Sequence, residues 1–84
     1  MTIEEQIKDY LARSVLFTDG TYEYSDDASF LDEGIVDSVA VMELALFVEE
    51  TFGITIDDSE ITPDNFDSVS KLANYVRRKQ AVLN

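Results

Sequence analysis

Two serines stand where a hydroxyl could take part in chemistry, each between an aspartate and a valine: Asp37-Ser38-Val39 and Asp67-Ser68-Val69. A serine nucleophile needs a base to take its proton, yet the 84 residues include no histidine and no cysteine. The commonest general base, the commonest metal ligand and the thiolate nucleophile are therefore all missing. Ser38 is no hydrolase nucleophile in its own right, but its hydroxyl can accept a group that another enzyme delivers. It follows a glycine-containing loop, Gly34-Ile-Val-Asp37-Ser38-Val39, and opens a strongly patterned helix. A phosphate ester at that point would meet the unpaired N–H groups and the positive dipole end of the helix. On the dipeptide alone the plainer reading, a helix cap, stands ahead. Context separates the two copies. The first precedes a helix with an extra apolar stripe and a row of acids, whereas the second opens an ordinary amphipathic helix and reads as a cap.

Other chemistry finds little support. A calcium loop needs a glycine at its sixth position and oxygen ligands at the first, third and fifth. Counting back from Gly20, Gly34 and Gly53 puts Val15, Ser29 and Val48 first, and the Ser29 frame has Leu31 third, so the pattern fails. The pairs Asp26-Asp27 and Asp57-Asp58 read as solvated loop carboxylates rather than acid–base groups. Three scattered glycines make no phosphate-cradling loop, and the lack of cysteine removes disulfides and thiolate zinc sites.

The elements that must position Ser38 follow from periodicity. Thr2 and Glu5 make a capping box, and Ile3, Ile7, Tyr10 and Leu11 form one face of a helix predicted over 3–16. A long connection, 17–37, carries turn signals at Asp19-Gly20, Ser25-Asp26-Asp27 and Glu33-Gly34, with Phe30, Leu31 and Ile35 expected to pin it to the core. Asp37-Ser38 supplies a cap pair for the second helix and Gly53 its stop. Val41, Leu44, Ala45, Val48 and Phe52 make its core stripe. Val39, Met42 and Leu46 form a second apolar stripe flanked by Glu43, Glu49 and Glu50, where a surface helix should be polar. That face suggests a packed neighbour or a docking surface. Ile54 to Ile56 reads as an extended connection, and 57–62 as one short helical turn before Pro63. Asp67-Ser68 caps a last helix carrying Val69, Leu72, Ala73 and Val76, with Arg77, Arg78 and Lys79 expected in its final turn. The sum is a small all-α four-helix bundle with a long first loop and a short third helix. It forms a single domain spanning 1–84, with a core of about 3–79.

Charge narrows the partners. There are 18 acidic and 6 basic side chains, a formal net charge of −12 and a pI near 4.1. Three of the acids precede residue 14, so fifteen lie between 14 and 70 with no basic residue among them. Self-repulsion in that stretch costs stability. Nucleic acid and anionic membranes are poor partners for such a surface, and a protein presenting basic residues is a good one. The acidic start, Met1-Thr2-Ile3-Glu4-Glu5, is no secretory signal, and the run from Val39 to Val48 is too short to span a bilayer. A soluble, cytoplasmic protein is expected.

Phe30-Leu31-Asp-Glu-Gly34-Ile-Val-Asp37-Ser38-Val39, then Glu43-Leu44, then Phe47-Val-Glu49-Glu50-Thr-Phe52-Gly53-Ile54, resembles an acyl carrier protein. Size, acidity and helix plan share that resemblance, which runs from about residue 3 to 79. It implies that Ser38 is the attachment point of 4'-phosphopantetheine, transferred from coenzyme A by a phosphopantetheinyl transferase using magnesium. Asp37 would orient the transferase's contacts. Val39, Met42, Glu43, Leu46, Glu49 and Glu50 would form the face that docks partner enzymes. Those partners would be the transferase, an acyl- or aminoacyl-loading ligase, synthases and acyltransferases with basic docking patches. The carrier would act as a monomer, holding its cargo as a thioester and being no enzyme itself. Three departures bear on the cargo. Ile35 and Val36 separate the glycine from Asp-Ser where the common fatty-acid-synthesis form has one residue, Val39 follows the serine in place of leucine, and Ala40 stands where fatty-acid carriers often have an acid. The longer spacing is similar to discrete carriers of D-alanylation, peptide, polyketide or specialised acyl transfer, and fatty-acid synthesis stays open. An acidic interaction module without covalent modification explains the charge equally well, but not an unpaired apolar stripe beside a capped serine.

Overall fold

The first helix starts where the sequence places it. Thr2 Oγ1 accepts from the Glu5 N–H and the Glu5 carboxylate accepts from the Thr2 N–H, both at 3.0 Å, closing the capping box. In the computed structural model, which describes residues 1–83, helix α1 covers Ile3–Tyr10 and then widens into a π-helical turn, Leu11–Val15. Asn84, the last residue of the predicted domain, lies outside the described residues. The predicted helix over 3–16 is thus two geometries in one. The Leu16 N–H reaches back five residues to the Leu11 carbonyl at 2.8 Å, a change of pitch that side-chain periodicity does not register.

Helix α2 is Ser38–Phe52, α3 is Pro63–Phe66 and α4 is Val69–Leu83, with a 3₁₀ turn at Asp58–Glu60. The fold is all-α, and Ile54–Ile56 is an extended connection, as expected. Leu44, Ala45 and Val48 of α2 are buried against Ile7, Leu11, Leu72 and Val76, while Val41 and Phe52 close the margin of the core. Gly53 ends α2 in the left-handed conformation (φ 67°), its N–H donating to the Glu49 carbonyl. The helical turn expected over 57–62 is only the 3₁₀ turn. A further helix begins at Pro63, whose missing N–H is harmless at a first helical position, and it buries Phe66.

Helix α4 runs further than expected, so Arg77, Arg78 and Lys79 lie mid-helix rather than in its last turn. Their work is pairing. Arg77 Nη2 holds both oxygens of Glu4 at 2.6 and 2.7 Å, Arg78 donates to Asn65 Oδ1 at 2.9 Å, and Lys79 meets Glu60 at 3.0 Å. These contacts tie α1, the 3₁₀ turn and α3 to α4.

The long loop 17–37 is anchored, as expected, through Phe30 and Ile35, and Val36 adds a third buried side chain. Each such burial is worth about 1.5–3 kcal/mol, enough together to offset the entropy of ordering the segment. Leu31 departs from expectation: it is 63% exposed, because the tight turn from Ser29 to Gly34 (φ 66°) carries it outward. Lys8 pairs with Asp26 at 3.0 Å, and the Asp26 carbonyl accepts from the Ser70 N–H, fastening the middle of the loop. Among the described residues no helix is long and apolar enough to cross a membrane.

Candidate functional site

Asp37 lies just outside α2 in extended backbone, and its Oδ1 accepts from the N–H groups of Val39 at 3.1 Å and Ala40 at 2.8 Å. The expected cap pair is therefore divided. Asp37 alone is the cap, and Ser38 is the first helical residue, exposed at the head of α2. Neither its hydroxyl nor its N–H has a hydrogen-bond partner among the described residues. The hydroxyl is free to react, and the N–H and helix dipole present positive potential to an anion attached there.

The second copy is arranged differently. Ser68 is 2% exposed, and its Oγ accepts from the Lys71 N–H at 3.1 Å, a cap as expected. Asp67 does not share that task. Its Oδ2 accepts from the Ser29 hydroxyl at 2.6 Å, its Oδ1 from the Leu31 N–H at 3.1 Å, and its carbonyl from the Phe30 N–H at 2.8 Å. One residue at the α3–α4 junction thus clamps the loop that leads into Ser38. Sequence reasoning missed it, because within an Asp-Ser pair before a helix the aspartate reads as part of the cap.

Beside Ser38 lies an open cleft of about 240 Å³, walled mainly by Phe30, Leu31, Val36, Val41, Ile61 and Phe66. Along the outer side of α2, Val39 (69% exposed), Met42 and Leu46 stand in the open with Glu43 and Glu50 between and beyond them. At 100° per residue these five fall on the side opposite Leu44 and Val48, so both faces of α2 are apolar but only one is covered. Glu49 leaves the expected docking set. It is half-buried, and its Oε2 accepts from the Ile56 N–H at 2.8 Å, tying the extended connection to α2.

A sequence profile described as "Phosphopantetheine attachment site" matches residues 5–76. The chain belongs to this family of carrier proteins. Relatives agree along almost the whole length of the carrier. A D-alanyl carrier protein of Lactobacillus delbrueckii subsp. bulgaricus is 32% identical over 80 residues, covering 95% of this chain and 96% of the relative. Another D-alanyl carrier protein, from Streptococcus pyogenes serotype M5, is 34% identical over 80 residues, covering 95% and 98%. The carrier is of the discrete acyl-carrier type, and its cofactor is covalently bound 4'-phosphopantetheine.

The residues at the head of α2 fit that group. The exposed Ser38 hydroxyl could form the ester, its unpaired N–H would face the added negative charge without a competitor, and the cleft leaves room beside it. The carrier's own contribution is placement: Asp37 fixes the start of the helix, and Asp67 with the buried Ile35 and Val36 fixes the approach to it.

Proposed function

We propose that the carrier bears its arm on Ser38 and transports an aminoacyl group, specifically D-alanyl. The observation that supports Ser38 is the contrast between the two Asp-Ser-Val copies: one hydroxyl is exposed and unpartnered, the other buried and bonded. Attachment forms an ester bond from Ser38 Oγ to the pantetheine-bearing phosphorus as the pyrophosphate P–O bond of coenzyme A breaks; adenosine 3',5'-bisphosphate leaves, and the serine proton goes to a base. The chain supplies no histidine for that purpose, so the base belongs to the phosphopantetheinyl transferase, which takes the arm from coenzyme A. When bound, the arm supplies the thiol that the cysteine-free chain lacks and holds the cargo as a thioester. The carrier is no enzyme on this reading. It works as a single-domain monomer in the cytoplasm, beside coenzyme A, and visits the transferase, a loading ligase and an acyltransferase in turn. Val39, Met42, Glu43, Leu46 and Glu50 form the docking face, Asp37 adding charge at its upper end.

The D-alanyl cargo is supported by the names of the two relatives and by the Ile35-Val36 spacing, with fatty-acyl and polyketide cargo behind it. Intact mass before and after incubation with coenzyme A, magnesium and a broad-specificity transferase tests the site. One added phosphopantetheine on the Ser38 peptide is expected. No gain, or a gain on the Ser68 peptide, overturns it. The loaded carrier is then offered D-alanine with ATP and a D-alanine-activating ligase, or a fatty acid with an acyl-loading enzyme. Uptake of the fatty acid alone overturns the cargo while leaving the site.

A further inference from the structure

The chain leaves its first helical segment at Phe17, whose φ of 57° makes it the one non-glycine residue in left-handed backbone among the described residues. The Thr18 N–H closes that end on the Ala12 carbonyl at 2.7 Å, and the Thr18 hydroxyl adds a second bond to the same oxygen at 3.1 Å. A helix that ends this way ordinarily takes glycine or asparagine at the left-handed position. Phe17 suits neither the backbone nor burial, because its side chain is 83% exposed. Folding gains nothing from an aromatic ring there, and a strained residue kept at an exposed position points to function.

Its surroundings indicate which. Phe17 lines an open groove of about 400 Å³ between the end of the first helical segment and the start of α2, shared with Val15, Val39, Ala40, Asp37 and Glu43. Val39 and Glu43 belong also to the outer face of α2, so the groove extends that face around the head of the helix. No basic residue lines it, and two carboxylates do. Such a groove suits an apolar side chain carried among lysines or arginines. Among partners, the transferase must act on the Ser38 oxygen itself, with no arm to span the distance. A surface bounded by Asp37 and Val39 is the one it meets first.

We propose that Phe17 is a second anchor for the phosphopantetheinyl transferase, which seats an apolar side chain flanked by basic residues in the groove between Phe17 and Val39. The proposal rests on Ser38 being the modified residue. The test measures the kinetics of arm transfer with coenzyme A and the same transferase, varying the concentration of the folded carrier, for the wild type and for F17G, F17N and F17L. Glycine and asparagine suit the backbone, so their urea midpoints should equal or exceed that of the wild type. Their KM should rise about fivefold or more with kcat held, the scale of losing an interface anchor, while F17L stays close to the wild type. A KM for F17G within about twofold of the wild type overturns the anchor. So does a rise in F17L equal to that in F17G, or a lower urea midpoint in both F17G and F17N, which would make Phe17 a folding residue. If wild-type protein takes up no arm, the Ser38 reading itself falls. Normal uptake with unaltered F17G kinetics removes only Phe17.

Discussion

Asp37 and Ser38 are neighbours with separable tasks, and three substitutions separate them. Ser38→Ala removes a hydroxyl that is exposed and bonded to nothing among the described residues. Its effect on folding should stay within about 0.5 kcal/mol, the range of an ordinary surface change. Asp37→Ala removes an oxygen that holds two N–H groups at 3.1 and 2.8 Å, together with a negative charge at the positive end of a fifteen-residue helix. That should cost about 1–2 kcal/mol. Asp37→Asn caps as well as aspartate does but lacks the charge, so it should lose only the charge–dipole part, about 0.3–1 kcal/mol. Urea unfolding followed by circular dichroism reads the stabilities. With a slope of about 1 kcal/mol per molar, as for small proteins, Asp37→Ala lowers the midpoint by about 1–2 M, Asp37→Asn by about 0.3–1 M, and Ser38→Ala barely moves it. Mass spectrometry after incubation with the transferase reads attachment: absent in Ser38→Ala, and slower in Asp37→Asn. A loss above about 1 kcal/mol in Ser38→Ala would make its hydroxyl structural and refute the division of labour. Continued modification of that variant would refute the site.

Asp67→Ala, which frees Ser29 and the Leu31 N–H, should cost about 2–3 kcal/mol, since hydrogen bonds to a charged acceptor are the stronger kind. A cost below about 0.5 kcal/mol would show that Phe30, Ile35 and Val36 hold the loop unaided. Glu43→Lys should slow association with the transferase at low salt and flatten its salt dependence, and an unchanged rate would count against the acidic face. The Arg77 guanidinium holds the Glu4 carboxyl below its ordinary value of 4.5, and the Lys79 ammonium does the same for Glu60. The unfolded chain thus takes up those protons first as pH falls. Their stabilisation is complete above about 4.5 and is lost as pH drops through the lower folded values. Arg77→Ala should make the acid loss of stability, followed by urea midpoints in high salt, shallower than in the wild type.

Much of the fold was legible because its signals are local. The capping box at Thr2 and Glu5, the glycine stop at Gly53 and the core stripe of α2 each depend on residues a few positions apart, and all are present. The placement of the proposed site was legible for the same reason, in that a serine opening an amphipathic helix is read from a dozen residues. What escaped was non-local or geometric. The clamp of Asp67 on Ser29 and Leu31 spans more than thirty residues, and nothing at either end marks the other. The widened turn at Leu11–Val15 shifts hydrogen bonds while leaving the apolar face almost in step. The half-buried Glu49 was read as a docking acid because helical spacing gives direction but not the neighbour, here the Ile56 N–H.

The distribution of charge explains why a chain this small tolerates a net charge of −12. Among the basic residues, Lys8, Arg13, Arg77, Arg78 and Lys79 are engaged within the chain, and each sits away from the head of α2 in sequence. Asp32, Glu33, Glu43 and Glu50, exposed before and after Ser38, take part in no ion pair among the described residues. The cations thus reinforce the fold where repulsion would otherwise open it, and the acids around Ser38, left outside those pairs, bias the surface field there toward negative. Such a field speeds encounter with a basic partner more than it prolongs the complex, because rim charges act mainly on the association rate. The exposed apolar area beside it is small, a few side chains from Val39 to Leu46, the scale of a transient rather than a permanent contact. A carrier that must be captured and let go by each enzyme in turn needs both properties. Burying the α2 stripe under another element, or pairing its acids with local lysines, would stabilise the fold and remove them.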